Sequence, residues 1–225
     1  MSKREKNKAA KMTRIVDAAR EMIRESGDVG LAMRSLAERS DVSLMTLYNL
    51  LGSRQAVLLQ ILVEDIKAAG ELFDSVDYRD PIDALFGIIP FIRTNIEINI
   101  PYWNAVNLSL FQSGSEHVRR VVRSENLAIW RRVLSAASDQ GYLRASIDVE
   151  SILILLDNIY SANSFSVSAG DIDHEMFEAR SQYGFALVLA GAVARPYVQR
   201  VRSFLDKCQA KRIALEQEIP HSSSD

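Results

Sequence analysis

The chain has 225 residues, of which 48% are hydrophobic and 25% are charged, so it can bury a substantial core. Its longest strongly apolar, uncharged stretch runs from Gly184 to Ala194, well short of the roughly 20 residues that a transmembrane helix needs. The amino terminus is polar and basic, unlike a secretory signal, and Cys208 is the single cysteine, so no intrachain disulfide can form. These features predict a cytoplasmic protein without a membrane partner.

The net charge of −2 conceals an asymmetry along the chain. Residues 1–60 carry eleven Lys and Arg against seven Asp and Glu, a balance of +4, which leaves −6 for residues 61–225. Most of the positive excess lies in six residues at the amino terminus: Lys3, Arg4, Lys6, Lys8, Lys11 and Arg14. A basic segment on an acidic body favours an anionic partner that binds at one end. A solvated, disordered tail would explain the same charges.

Hydrophobic residues recur at helical spacing along the chain, and no segment shows the period of two that is typical of a strand. In the first third, the pattern predicts an amphipathic helix through Ile15 that ends near Gly27, then a short helix through Leu36. Ser43 is placed to cap a second short helix, and Ser53 to cap a longer one. An all-α chain of nine or ten helices is the prediction.

Five more helices are predicted after residue 74. They are a helix that begins at Asp80-Pro81, contains Pro90 and runs toward Asn99, helices over Ser115–Gln140, Asp148–Ala169 and Asp173–Ala194, and a last one opened by Pro196. Proline at the first helical position is favourable, whereas Pro90 inside a helix is expected to bend it. The residues from Pro220 onward form a polar tail.

The segment from Leu31 to Leu51, LAMRSLAERSDVSLMTLYNLL, has the features of a helix-turn-helix. Two short helices that cross steeply need a small residue where they approach, which Ala37 supplies. Apolar residues that fix the crossing angle are Leu36, Val42 and Leu47. Asp41 occupies the turn, and Asp is among the few residues besides Gly that adopt a positive φ. The second helix of such a pair fits the DNA major groove, although the same hairpin can serve core packing alone.

The segment from Ile15 to Leu62 resembles the TetR family of bacterial repressors. The resemblance is carried by Ala18-Ala19, Gly27, Arg34-x-Leu36-Ala37, Val42-Ser43, Thr46-Leu47-Tyr48 and Ser53-Arg54. The remainder is similar only in the number and length of its helices. The resemblance implies an all-α protein with an N-terminal three-helix DNA-binding head that contains the helix-turn-helix, and a larger helical ligand-binding and dimerisation domain. The expected boundaries are 1–54 for the head with its basic arm, 55–216 for the larger domain, and 217–225 for the tail.

The resemblance also implies function: a homodimeric, ligand-responsive repressor that is released from a palindromic, double-stranded DNA operator by a small molecule. Its DNA-binding positions carry over to Arg34, Ser43, Leu44, Met45, Thr46, Tyr48, Asn49 and Arg54. Arg54 stands where the family usually has Lys, which keeps the charge but changes its geometry. Leu44 and Met45 are apolar, so they favour contact with thymine methyl groups over hydrogen-bonded base reading.

The resemblance also implies a ligand pocket among the middle helices, for which an apolar or aromatic effector is expected. Its candidate residues are Phe86, Phe91, Trp103, Asn107, Phe111, Trp130 and Tyr160, although aromatic residues at helical spacing also build an ordinary core. The helices near 148–169 and 173–194 are the expected dimer interface. The second of them is rich in Gly and Ala, which permit close helix approach either between subunits or within one chain.

An enzyme and a structural or adaptor protein are the alternatives. The sequence offers no phosphate-binding glycine loop and no nucleophile motif, and its three histidines, His117, His174 and His221, lack metal-ligand spacing. No catalytic residue, cofactor or metal is therefore predicted. An adaptor would not explain why a basic segment precedes a helix-turn-helix. Whether that segment contacts DNA, through phosphates or in the minor groove, stays open.

Overall fold

The structure is a computed structural model, and it describes residues 2–26, 31–100, 102–104, 110 and 116–218. Its helices are α1 (Lys3–Ser26), α2 (Met33–Arg39), α3 (Leu44–Leu51), α4 (Arg54–Asp74), α5 (Pro81–Glu97), α6 (Glu116–Asp139), α7 (Val149–Ala169), α8 (His174–Ala192) and α9 (Val198–Glu218), with a 3-10 turn at Arg195–Tyr197 before α9. Within these residues, extended pairing is limited to an isolated antiparallel bridge between Leu143 and Val193. The all-α prediction is confirmed. No helix in the described ranges is long and apolar enough to cross a membrane.

The chain divides into two compact units. The first contains Met1–Leu72 and Ile96–Asn126, and the second contains Phe73–Asn95 and Leu127–Asp225. This division groups residues by their contacts, so the functional boundary expected at residue 54 stays a prediction. The tail expected over 217–225 lies outside the described residues from position 219 onward.

Helices α1 to α4 of the first unit bury the apolar faces that their sequence spacing predicts. The buried side chains include Ile15, Ala19 and Ile23 of α1, Leu36 and Ala37 of α2, Leu47 of α3, and Val57, Ile61 and Leu62 of α4. Burying one Leu or Ile side chain contributes about 1.5–3 kcal/mol, so this core far outweighs the weak helix preference of segments as short as α2 and α3.

Local side-chain chemistry sets the ends of these short helices. Ser43 Oγ accepts a hydrogen bond from the Thr46 amide at 3.1 Å, and Ser53 Oγ accepts one from the Ala56 amide at 3.1 Å, so both predicted caps are confirmed. Asp41, in the turn between α2 and α3, has a φ of 52°, as its position in the motif predicts.

Helix α1 begins much earlier than the apolar pattern indicates. A basic arm is the expectation for the residues ahead of Arg14, but in the structure they continue α1 back to Lys3. The helix starts with a capping box: the Ser2 amide donates to Glu5 Oε2 at 2.6 Å, and the Glu5 amide donates to Ser2 Oγ at 3.2 Å. The basic segment is therefore helical.

In the second unit α8 packs against both α7 and α9, and the core cluster also includes residues of α5 and α6. Its largest fully buried side chains include Phe177 and Phe185 of α8. At Gly184 of α8, an added Cβ would lie 2.8 Å from a side-chain carbon of Ile159 on α7, so these two helices approach too closely for any larger residue. Asp148 and Asp173 cap α7 and α8, in agreement with the predicted starts.

Asp80 joins the start of α5 to α9. Its Oδ1 accepts hydrogen bonds from the amides of Ile82 and Asp83, both at 3.0 Å, while its Oδ2 lies 2.6 Å from Arg200 Nη1. Arg200 also bonds the carboxylate of Asp83. The hydrogen bonds from Arg200 hold the pKa of Asp80 below its usual value, against the opposing effect of burial.

Replacing Asp80 by Asn tests this ion pair, because Asn keeps the helix cap but loses the charge. We expect Asp80→Asn to lower the free energy of unfolding by about 1–2 kcal/mol at pH 7. A carboxylate with a depressed folded-state pKa stabilises the protein above its unfolded-state pKa of about 3.9, and this contribution is lost as the pH falls through the folded value. The difference measured by urea unfolding should therefore shrink between pH 7 and pH 3.

The matched control is Asp173→Asn, at a residue that caps α8 through the Met176 amide. It should change the free energy of unfolding by less than about 0.5 kcal/mol at both pH values. A cost of Asp80→Asn that is equal at pH 7 and pH 3 would contradict the assignment.

Candidate nucleic-acid interface

Helix α3 has one buried side and one exposed apolar side. Leu47 is 0% exposed, whereas Leu44 is 40%, Tyr48 46% and Met45 70% exposed. The helix, LMTLYNLL, contains no charged residue. Contiguous large apolar side chains on a surface are typical of a binding site, because leaving them in water costs free energy. The exposed side of α3 is therefore a candidate contact surface.

Two hydroxyl groups at the start of α3 are bonded to each other. Ser43 Oγ and Thr46 Oγ1 lie 2.8 Å apart, and the same Ser43 oxygen accepts from the Thr46 amide. This pairing fixes the first turn of the helix and leaves each hydroxyl fewer directions in which to bind another group. The Asn49 side chain is exposed, so Asn49 and the phenol of Tyr48 add polar groups to this apolar surface.

The two predicted cationic positions lie on the neighbouring helices. Arg34 is exposed on α2, and Arg54 is the first residue of α4, where it is half-buried. The first amide groups of a helix are left without intrahelical partners, and together with a guanidinium they favour an anion there. All eight predicted DNA-binding residues therefore belong to the segment from α2 to the start of α4, and six of them are exposed: Arg34, Ser43, Leu44, Met45, Tyr48 and Asn49.

A partly buried ionic cluster, which the sequence pattern did not reveal, connects α1 to α4. Arg20 Nη2 lies 2.7 Å from Asp65 Oδ1 and 3.4 Å from Glu64 Oε2, and the Tyr102 phenol donates to Asp65 Oδ2. Burial opposes the charge on Arg20, but the attraction of Asp65 outweighs it and raises the pKa of the guanidinium. Burial, with the charge of Asp65, raises the pKa of the Tyr102 phenol, which stays protonated and donates.

Exposed ion pairs connect α1 to α2 and to the turn of the motif. Arg39 of α2 binds both carboxylate oxygens of Glu25 at 2.6 Å, and Arg14 Nη1 lies 3.4 Å from Asp41 Oδ2 in the turn. The hydrogen bonds from Arg39 lower the pKa of Glu25. Such surface pairs contribute little to stability, so their importance here is geometric: they show which part of α1 lies beside the turn.

The residues predicted to bind an effector are only partly brought together. In the second unit, the Trp130 ring meets the Tyr160 ring edge-on at 5.3 Å. Trp130 is buried in the core cluster, so this pair also has an ordinary packing role. Trp103 belongs to the first unit, and Asn107 and Phe111 lie outside the described residues.

Two other candidate aromatic residues have ring partners elsewhere in the second unit. Phe86 stacks on Phe204 of α9 with centroids 3.8 Å apart, and Phe91 meets Phe73 edge-on at 5.2 Å. The effector-binding set therefore stays a prediction. Among the described residues, no cluster of His, Cys, Asp and Glu has the geometry of a metal site.

The two helices expected at a dimer interface differ in how they use their surfaces. On α7, beyond the exposed Glu150 in its first turn, the exposed residues recur at helical spacing and carry no charge: Ser151, Ile154, Leu155, Asn158, Ser161, Ala162, Phe165 and Ala169. We call this set the α7 stripe. On α8, Ala179, Ala186 and Ala192 are buried within the chain. The alternative of intrachain packing therefore explains much of the small-residue content of α8.

Comparison with solved structures relates this fold to a known group. The FadR repressor of Thermus thermophilus, a TetR-family protein in complex with lauroyl-CoA, matches with a TM-score of 0.68 and 19% identity over 82% of this chain and 96% of that one. A TetR regulator from Rhodococcus sp. RHA1 matches with a TM-score of 0.66 and 20% identity over 81% and 97%. SmeT, the repressor of the multidrug efflux pump SmeDEF of Stenotrophomonas maltophilia, matches with 0.62 and 16% over 82% and 91%. No family model and no curated protein sequence matches the chain.

A matched pair of substitutions tests the two sides of α3. Leu47→Ala should lower the free energy of unfolding by about 2–5 kcal/mol, because it leaves a cavity in the core. Met45→Ala should change it by less than about 0.5 kcal/mol, because the side chain lies in solvent. Urea unfolding followed by circular dichroism measures both values. An equal loss of stability in the two variants would show that Met45 is packed inside the protein.

Proposed function

From the TetR-family fold of this chain, we propose that it is a sequence-specific DNA-binding transcriptional regulator, a homodimeric repressor that a small molecule releases from its operator. The observation that carries the proposal is the exposed apolar side of α3, presented on a helix-turn-helix whose other side is anchored by the buried Leu47. The three structural relatives described above are transcriptional regulators, which supports a non-enzymatic role. The partner is duplex DNA, so we place the protein in the cytoplasm.

Helix α3 enters the major groove, which is about 12 Å wide and admits one helix. Leu44 and Met45 contact thymine methyl groups, the apolar groups that the bases present in this groove. Tyr48 and Asn49 are exposed beside them and contact base edges or phosphates. Arg34 and Arg54 bind phosphates on either side and fix the register of the helix on the duplex. In this arrangement Ser43 and Thr46 shape the first turn, and the hydroxyl proton that their mutual hydrogen bond does not use is donated to a phosphate oxygen.

Dimerisation places two copies of α3 on one face of the duplex. The α7 stripe supports this step, because it extends over five helical turns without a charge and exposes Ile154, Leu155 and Phe165. Leu187 of α8 is a further exposed apolar residue on the second predicted helix. Two recognition helices about 34 Å apart meet successive major grooves, so the operator is an inverted repeat.

The effector is a small molecule with a large apolar or aromatic part. The bound lauroyl-CoA of the T. thermophilus relative supports a ligand of this class, and the aromatic pair of Trp130 and Tyr160 supports a site in the second unit. A ligand that binds one arrangement of the dimer better than the other shifts the population toward it. Release follows when the favoured arrangement no longer presents both α3 helices at the spacing of the operator.

Selection from a random duplex DNA library tests the proposal. The protein should enrich an inverted repeat whose half-sites lie about one helical turn apart, and its affinity should fall as salt rises. Arg34→Ala and Tyr48→Ala should each weaken binding by about 1–3 kcal/mol without changing the oligomeric state. The matched control is Arg202→Ala, at an exposed arginine of α9. Failure to enrich any duplex sequence would overturn the proposal. Enrichment of a single half-site, without its inverted repeat, would overturn the proposed dimer.

Replacing thymine by deoxyuridine tests the role of Met45, because it removes only the methyl group. At the thymine that Met45 contacts, the replacement should weaken wild-type binding about fourfold, because burying one methyl carbon contributes about 0.8 kcal/mol. Met45→Ala should bind thymine and deoxyuridine operators equally at that position. Persistence of the full methyl effect in Met45→Ala would assign the contact to another residue.

A further inference from the structure

The amino-terminal turns of α1 form an exposed helix that the proposed head does not need for its core. Residues 2–11 are all exposed, and the first buried side chain of α1 is that of Ile15. An isolated helix of this length is marginally stable in water. Here the Ser2–Glu5 capping box closes one end, and the packed part of α1 continues from the other. We call residues 3–11 the α1 extension.

The charges of the α1 extension are arranged by face. At 3.6 residues per turn, Arg4, Lys8 and Lys11 lie within about 40° of Ile15 around the helix axis, on the side of α1 that packs into the head. Lys6 lies on the opposite side, and Lys3 about 120° away from Ile15. Toward the amino terminus from Ile15, the packed side of α1 therefore continues as a row of three cations.

The carboxy-terminal end of the α1 extension lies near the turn that leads into α3. Arg14 contacts Asp41, two residues before the cap of α3, at 3.4 Å. From Arg14 to Lys3 the helix rises about 16 Å, at 1.5 Å per residue. A duplex bound by α3 presents a negative charge about every 1.7 Å along its axis, so phosphates flank the site that α3 reads.

We propose that the α1 extension is a second DNA-binding surface, which contacts the phosphate backbone next to the base pairs read by α3 through Arg4, Lys8 and Lys11. The inference rests on the proposed function and adds to it a sequence-independent contact made by a helix. Its apolar residues are only Ala9 and Ala10, which gives it no bulky side chain to insert into a lipid surface. Its charge therefore fits an anionic partner, and its lack of bulky apolar side chains favours a nucleic-acid backbone over a membrane.

Two double variants test the proposal with equal changes in charge. Lys8→Gln/Lys11→Gln neutralises two of the three cations in the row, and Lys3→Gln/Lys6→Gln, the matched control, neutralises two lysines outside it. Gln is about as good a helix former as Lys, and circular dichroism checks that both variants keep their helix content. The measurement is the affinity of the full-length protein for its selected operator, with ten flanking base pairs on each side, as a function of salt concentration.

We expect Lys8→Gln/Lys11→Gln to reduce the slope of log affinity against log salt by about 2 for each subunit that contacts the backbone, at about 0.9 per phosphate contact. The control should leave the slope unchanged within error. Both variants should keep the wild-type ratio of affinities for the operator and for a duplex with a mutated half-site. Trimming the flanking base pairs should weaken wild-type binding more than that of Lys8→Gln/Lys11→Gln, which keeps only Arg4 in the row.

Equal slopes for the two variants, or no effect of trimming, would overturn the inference while leaving the proposed function intact. Binding of the wild-type protein to phosphatidylglycerol vesicles through these lysines is the alternative. If Lys8→Gln/Lys11→Gln loses vesicle binding but keeps the wild-type salt slope on DNA, the surface binds a membrane and the inference is overturned. If the wild-type protein enriches no duplex, the proposed function itself fails.

Discussion

The burial of Leu47 is the constraint on which the rest of the head depends. An eight-residue helix is too short to be stable alone, so α3 exists because its inner side packs against the core that includes Leu36 and Ala37. Once that side is buried, helical geometry directs Met45 and Tyr48 away from it, and Leu44, three residues before Leu47, lies at the edge of the exposed side. Exposing these apolar groups to water costs free energy, which the burial of the core offsets. Contact with thymine methyl groups in a major groove would remove part of this cost.

The partly buried charges of the first unit depend on pairing instead of apolar packing. A guanidinium taken out of water needs a partner of opposite sign, and Arg20 finds it in Asp65, which the Tyr102 phenol also binds. Removing one member would leave the others uncompensated, so the cluster favours one arrangement of α1 and α4. The second unit is held mainly by apolar packing, as at Gly184, where no side chain fits beside Ile159.

The structure also changes how two sequence features are interpreted. The basic residues ahead of Arg14, expected as an arm, are the first turns of α1, and that gives their charges a defined face. The small residues of α8 mostly serve packing inside the chain, so the dimer proposal now depends on the exposed α7 stripe. In both cases the sequence showed the residue types, basic or small, but not the direction in which their side chains face.

The features that depend on interactions between residues close together in the chain could be predicted from the sequence alone. The all-α fold, the caps at Ser43 and Ser53 and the positive φ of Asp41 follow from hydrogen bonds and steric limits within a few residues of backbone. The inward position of Leu47 was predicted from the helix-turn-helix pattern, and the outward residues of α3 were implied by the family resemblance. The pairing of Arg20 with Asp65, and the division of aromatic residues between the two units, depended on tertiary structure, because contacts across tens of residues are set by how helices pack and leave no periodic trace in the chain.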